Sequence, residues 1–389
     1  MSSPDSNSLD AFAAGKLASL DAKNLRRHLI DTSREGGIWM TRGGKRLLSF
    51  SCNDYLNFTQ HPKIQEAAIA AIRTHGVGAG ASRLVTGNHP LFTQLETRLA
   101  RLKGTEAACV FGSGYLANLG IISTLMGKND LVVVDELSHS CILAGAELSG
   151  GRMLTFRHND MAHAEDLLKE HRATYRHAMI ATDGVFSMDG DLAPLHDLAA
   201  LAQKYDAWLL SDDAHGIGVI GAGRGSTFAH GRKADVALQM GTLSKAIGGY
   251  GGYLCASQAV IDLMKTRART LVYSTGLPPA TVAAAIAAID VIEHDPNYAV
   301  KPIRKAKAFT ARLNLPEARS PIVPIVLGDT EATLRASKLL EDHGFLVAAI
   351  RPPTVPNGTS RLRLTFTAAH PDAEIERLAS VIGEHVLPR

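Results

Sequence analysis

The stretch GTLSKAIGGYGG, residues 241–252, decides how the chain is read. It sets one lysine, Lys245, among threonine, serine and glycine, directly after the apolar run 236–240. A lysine that serves only solubility sits more often on a charged helix face, and no other charged residue stands in this stretch. An isolated amine among small residues suits a group that must lose its proton and form a Schiff base. The pattern G-x-x-x-x-G-K-[ST] is absent, so this is not the lysine of a nucleotide-binding P-loop.

Upstream, SDDAHGIGVIGAGRG (211–225) follows the apolar run 207–210. Gly216, Gly218 and Gly221 form G-x-G-x-x-G, which marks a dinucleotide site when a helix opens inside it and an acid follows about 20 residues on. After Gly221 the chain reads Ala-Gly-Arg-Gly-Ser-Thr, too rich in glycine to carry on as a helix. The glycines are read instead as a close-packed turn behind Asp212, Asp213 and His215. Those residues sit at the carboxyl end of a strand, where open α/β sheets place their ligand chemistry. A D-D-x-H cluster also suits a metal site, a hydrolase or a solvated turn. Metal is disfavoured because no second ligand pair at i, i+4 spacing stands nearby.

Two further sites follow apolar runs. Gly112-Ser113-Gly114-Tyr115 comes after the run 107–111 and before a helix predicted from Ala117, so its N–H groups suit a phosphate, although such glycines more often form a plain turn. His139 follows the run 131–134 and, taken alone, reads as a surface histidine. Together the four sites match what pyridoxal phosphate requires: a lysine for its aldehyde, a carboxylate for its ring nitrogen and a glycine-rich cradle for its phosphate. Asp212 is the expected ring-nitrogen partner, His215 the neighbour of the ring hydroxyl and His139 the group against the ring face.

The 389 residues, 46% of them hydrophobic and 20% charged, are enough for two domains. A net charge of +3 spread over both signs gives no stripe for nucleic acid or an acidic membrane. Cys52, Cys109, Cys141 and Cys255 lie far apart, which suits reduced thiols in a cytoplasmic protein rather than a disulfide framework or a zinc site. The first 16 residues include Asp5 and Asp10 and lack the pattern of a secretory signal, and no run approaches the ~18 apolar residues of a membrane span.

A helix is predicted over 90–103, with strands at 107–111, 131–134, 178–182, 207–210, 236–240 and 252–256. Apolar strands alternating with helices imply an α/β fold with a mostly parallel sheet covered on both faces. After an alanine-rich helix at 279–293, strands at 322–327 and 361–366 and helices at 330–343 and from 371 form a smaller α+β unit. The expected division is an N-terminal segment 1–50 packed with the small unit, a large domain 51–290 and a small domain 291–389.

The motifs SCNDYLNF, GVGAGASRLVTGNHPLFTQLE, FGSGYLAN, DELSHSCI, TDGVFSMDGDLAPL, SDDAHGIGVIG, GTLSKAIGGYGG and RLRLTFTAAH occur in that order over nearly the whole chain. In these the chain resembles the α-oxoamine synthase family of fold-type I pyridoxal-phosphate enzymes. The resemblance implies a mostly parallel seven-stranded sheet, a smaller C-terminal α+β domain and a homodimer with shared active sites. It makes Lys245 the Schiff-base lysine and Asp212 the ring-nitrogen acid. It sets His215 and Ser187 by the ring hydroxyl, His139 on the ring, and Gly114, Tyr115 and Thr242 at the phosphate, with Ser274 and Thr275 supplied by the partner subunit.

Asn53 and Arg363 resemble the pair for an amino-acid carboxylate, with Arg361 as the nearby alternative, and Arg26 and Thr354 the acyl-substrate contacts. The resemblance further implies a decarboxylative condensation of an amino acid with an acyl thioester. L-alanine with a pimeloyl thioester, on coenzyme A or a carrier protein, fits the biotin-forming branch. The substrates of 5-aminolevulinate synthase, glycine C-acetyltransferase and serine palmitoyltransferase stay open, as do a nicotinamide dehydrogenase and an idle scaffold. Leu84, Asn88 and His89 depart from the pattern of that branch, near the expected acyl entrance.

Overall fold

Seven strands form the central sheet, in the order Ala107–Phe111, Gly252–Ala256, Leu238–Thr242, Trp208–Asp212, Ala178–Asp183, Leu131–Asp135 and Arg152–Phe156. Every neighbouring pair is parallel except the two made by Gly252–Ala256, which runs antiparallel to both its neighbours. The computed structural model describes residues 8–23 and 25–387; the Asp5 of the signal-peptide reading lies outside them. Strands Leu131–Asp135, Ala178–Asp183, Leu238–Thr242 and Gly252–Ala256 are buried at every residue, which is why mostly apolar runs mark their positions. Arg152–Phe156 lies at the sheet edge, with one fully buried residue, and carries no such run.

Two strands extend further than their apolar residues suggest. The expected 207–210 and 236–240 become Trp208–Asp212 and Leu238–Thr242, because polar residues at their ends still pair through the backbone. Thr182 pairs with Ser211, Asp183 with Asp212 and Gly252 with Thr242. Asp212 and Thr242 therefore stand on the last rungs of the ladder and not in free loops. That pairing fixes their backbone directions before any side chain is considered.

Helix Pro90–Lys103 has proline in its first turn and ends on Gly104 in the left-handed region (φ 60). It buries Leu95 and Leu99 completely, each worth about 1.5–3 kcal/mol relative to exposure. Helix Gly114–Leu125 starts three residues before the expected Ala117, with the Ser113 hydroxyl accepting the Leu116 N–H at 3.2 Å. A Cβ at Gly114 would lie 3.2 Å from the end of Met240 and 3.3 Å from Thr242 Cβ. The missing side chain lets the helix begin against the tip of the neighbouring strand.

A three-stranded antiparallel sheet of Ile322–Gly328, Ser360–Thr365 and Ala348–Ile350 carries the later part of the chain. Strands Thr32–Arg34, Trp39–Arg42 and Lys45–Ser49 form a meander that pairs in parallel with Phe345–Leu346. Ile38, Leu48 and Phe50 share one apolar core with Phe309, Phe345 and Phe366. The N-terminal helix Ser8–Asp21 buries no residue.

Candidate active site

At the carboxyl ends of the central strands lies a cavity of about 210 Å³ whose walls include Gly114, Tyr115, His139, Asp183, Asp212, His215, Thr242 and Lys245. Its floor is Asp212. The Asn118 amide donates to one carboxylate oxygen at 2.7 Å and the Ala214 N–H to the other at 2.9 Å. Asp183, the register partner of Asp212 on the next strand, is also buried and accepts the His139 N–H at 3.1 Å. Burial, and then the neighbouring Asp212, push the Asp183 carboxyl well above the usual range. Of the two, Asp183 is therefore the carboxyl inclined to hold a proton.

Lys245 reaches this floor from the loop after Leu238–Thr242. Its Nζ lies 2.8 Å from Nε2 of His215, whose Nδ1 lies 2.7 Å from the Tyr55 hydroxyl. Burial lowers the Lys245 amine below its ordinary range, against the pull of Asp212 and Asp183. Burial, and then any charge on Lys245 and the Arg363 cation, hold His215 well below its own, so the imidazole is neutral. His139 opens onto the cavity, and its Nδ1 accepts the Cys141 N–H at 3.3 Å, capping helix Ser140–Ser149. Burial lowers this imidazole as well.

The far wall is built for an anion. Gly114 and Tyr115 open a twelve-residue helix, and their N–H groups find no acceptor in the chain among the described residues. Thr242 lies beside them, its hydroxyl donating to the Gly251 carbonyl at 2.7 Å. Orphaned helix-terminal N–H groups, a buried carboxylate and an amine inclined to be neutral, all facing one cavity, fit pyridoxal phosphate. Among the described residues no group of three His, Cys, Asp or Glu side chains is arranged to hold a metal ion.

The remaining expected residues fall into three places. Arg363 is 6% exposed, donates from Nε to the Ser187 carbonyl at 2.5 Å and from Nη2 to Asn53 Oδ1 at 3.3 Å, and has no carboxylate partner among the described residues. Arg361, two residues away on the same strand, is ion-paired with Asp189 and therefore occupied. Ser187, expected beside the ring hydroxyl, is not part of the cavity wall; its carbonyl orients Arg363 instead.

Ser274 and Thr275 line a small separate pocket with Arg83 and Gly112, and the Ser274 hydroxyl donates to the Thr270 carbonyl at 2.7 Å. Arg26 and Thr354 line another cavity, of about 690 Å³, between residues 25–30 and 346–354. There Arg26 pairs with Asp21, and Arg27 donates to the Thr354 hydroxyl at 2.8 Å. None of these four shares a wall with Lys245. Leu84, Asn88 and His89 also lie outside that wall, with Asn88 accepting from Arg83.

Three contributors were missed in the sequence: Asn118, Tyr55 and Asp183. The last had a signal, because Asp183 follows its apolar run just as Asp212 follows its own.

The model of the family described as aminotransferase class I and II matches residues 45–382. The chain belongs to that family; it has the fold-type I architecture, and its cofactor is pyridoxal phosphate. It is 62% identical to the 8-amino-7-oxononanoate synthase of Beijerinckia indica subsp. indica, over 97% of this chain and 98% of the relative. It is 65% identical to the 8-amino-7-oxononanoate synthase of Methylocella silvestris, over 89% and 98%. A serine palmitoyltransferase from S. paucimobilis, solved with a bound adduct of PLP and myriocin, superposes with a TM-score of 0.90 at 28% identity, covering 97% of this chain and 98% of that one.

Proposed function

We propose that the protein catalyses the 8-amino-7-oxononanoate synthase reaction, joining L-alanine to a pimeloyl thioester with loss of carbon dioxide and of free coenzyme A or carrier protein. The observation that carries the reading is the Lys245 amine, bonded to a neutral His215 in the cavity floored by Asp212. Identity of 62–65% to synthases of that name supports the substrate pair. The similarity in shape to a serine palmitoyltransferase comes with only 28% identity and supports serine and a longer acyl chain less well.

Pyridoxal phosphate, when bound, supplies an aldehyde for an amine and a cationic ring that draws electrons from the amino acid's α-carbon. Lys245 is the residue that would hold the aldehyde carbon, and its Nζ, once free, takes the α-proton. Asp212 would keep the ring nitrogen protonated, with Asn118 and the Ala214 N–H holding its carboxylate in place. The N–H groups of Gly114 and Tyr115, with Thr242, would hold the phosphate. His139 would cover the ring face and His215 hold the proton at the ring hydroxyl. Arg363, lacking a carboxylate partner among the described residues, binds the alanine carboxylate beside Asn53. Arg26 and Thr354 are assigned to the acyl thioester, through the second cavity.

The active assembly is proposed to be a cytoplasmic homodimer in which Ser274 and Thr275 complete the partner's phosphate site. Val85 and Tyr273, on either side of the bridge between Ser82 and Thr275, are 75% and 79% exposed and offer an apolar face for that contact. No helix among the described residues is long and apolar enough to cross a membrane.

The test is a visible spectrum of the protein with pyridoxal phosphate, followed by thiol release from pimeloyl-coenzyme A with L-alanine. A coloured protein that releases thiol with alanine, and a K245A variant that does neither, is the expected result. Release with serine and a long-chain thioester alone would move the substrates, and an active K245A variant would end the assignment of Lys245.

A further inference from the structure

Both nitrogens of His215 are engaged, Nδ1 by Tyr55 at 2.7 Å and Nε2 by Lys245 at 2.8 Å. Tyr55 is wholly buried and His215 6% exposed, so water does not compete for either nitrogen. A neutral imidazole has one proton to place, and whichever nitrogen lacks it must accept. The Tyr55 hydroxyl also has one proton to give. Its two acceptors are His215 Nδ1 at 2.7 Å and Asn53 Oδ1 at 3.4 Å. Arg363 donates to Asn53 Oδ1 at 3.3 Å.

We infer that Tyr55 is a positioning residue that sets which nitrogen of His215 carries the proton and, through it, whether Lys245 is an amine or an ammonium. The inference rests on the reading of Lys245 given above.

Two arrangements satisfy every group. In the first, the phenol donates to Nδ1, the proton of His215 sits on Nε2, and Lys245 must accept it as a neutral amine. In the second, the phenol turns to Asn53, Nδ1–H donates to the phenol oxygen, and Nε2 accepts from Lys245, whose ammonium form this nitrogen then stabilises. The 2.7 Å contact fits either arrangement, but the second leaves the phenol proton only the marginal 3.4 Å contact to Asn53, which favours the first. Burial acts in the same direction on Lys245. A carboxylate arriving at Arg363 takes a donor away from Asn53 Oδ1, frees that oxygen for the phenol and favours the second arrangement. One hydroxyl rotation thus couples occupation of the carboxylate site to the proton on the lysine. The other charged and titratable groups facing the pair are Asp212, Asp183, Cys141 and His139; a Tyr55 substitution leaves them in place.

The test uses the full-length, coenzyme-free protein. Nitrogen-15 spectra of labelled histidine, assigned with an H215Q variant, report the tautomer. The pH dependence of acetylation at Lys245, followed by peptide mass spectrometry, reports the amine. Wild type is expected to show the Nε2–H form, and Y55F a larger Nδ1–H share with the Lys245 midpoint raised by about one pH unit. An unchanged tautomer and midpoint in Y55F would overturn the inference. If Y55F fails to fold, wild type still decides, because a His215 found as Nδ1–H overturns it outright. Failure of the lysine reading shows separately, as a K245A protein that still turns over.

Discussion

Lys103 and Asp213 form an ion pair sealed from solvent on both sides, with Nζ 2.6 Å from Oδ2 and side-chain exposures of 0% and 1%. Lys103 also donates to the Arg224 carbonyl at 2.7 Å, and the other Asp213 oxygen accepts the Ser226 N–H at 2.9 Å. Asp213 therefore faces away from the cavity that its neighbour Asp212 floors, and it ties down the turn carrying His215. Of the three glycines that imitate a dinucleotide fingerprint, Gly216 serves this pair, as does Gly225 beyond them. A Cβ at Gly216 or Gly225 would overlap the Asp213 carboxylate, and Gly225 also adopts φ 101.

Removing one partner of such a pair strands a buried charge. K103M is expected to lose about 3–5 kcal/mol of stability, and the double variant K103M/D213L to recover a good part of it, as read by urea unfolding. A double variant no more stable than K103M would show that packing around the pair, and not its charge, holds the turn.

The two adjacent aspartates are expected to behave differently when made into amides. Burial and Asp212 push the Asp183 carboxyl toward its protonated form, so D183N is expected to keep activity within about tenfold. D212N replaces the carboxylate proposed to pair with the ring nitrogen and is expected to lose about 100-fold or more in kcat. Steady-state kinetics on both variants decide this; equal losses would place the shared proton elsewhere.

Arg361 and Arg363 share a strand face and differ in what they hold. R363Q is expected to lower kcat/KM for L-alanine by about 10–100-fold, mostly through KM, because a charge-assisted contact to the carboxylate is lost. R361Q breaks the pair with Asp189 and should act mainly on thermal stability. An R361Q variant with the larger rise in KM would reverse the assignment.

His158 lies between Asp135 at 3.1 Å and Asp191 at 2.9 Å. Burial works against its charge, but hydrogen bonds and attraction from both carboxylates raise it from the usual 6.5 to about 10. A pKa raised by folding stabilises fully below the unfolded value and is lost as pH climbs through the folded one. Wild type should therefore lose stability from pH 6.5 to about 10, by an amount on the order of a few kcal/mol. In H158Q that slope should flatten, and parallel unfolding profiles for the two proteins would refute the clamp.

The chemistry was legible where it sits at strand ends. Lys245, Asp212, His215 and His139 each follow an apolar run closely, so their spacing alone brings them to one sheet edge. Tyr55 and Lys103 were not legible, because their partners His215 and Asp213 stand more than a hundred residues away and neither carries a local pattern. Strand Lys45–Ser49 escaped for the same reason, since Leu48 pairs with Phe345 near the other end of the chain. Arg152–Phe156 escaped because an edge strand needs no unbroken apolar run. Arg363 was preferred over Arg361 through the resemblance alone, and the pairing of Arg361 with Asp189 supplies a physical reason that lies 172 residues away in the chain.

The antiparallel strand Gly252–Ala256 sets an order on synthesis. Ala107–Phe111 leaves the ribosome early but joins the sheet only through this later strand, with Phe111 opposite Gly252. Until translation passes Ala256, the first apolar strand has no neighbour and the nascent sheet has an open edge. The stretch 107–111 is therefore the segment a holdase chaperone should protect, and chains that stall before residue 252 are the ones expected to aggregate.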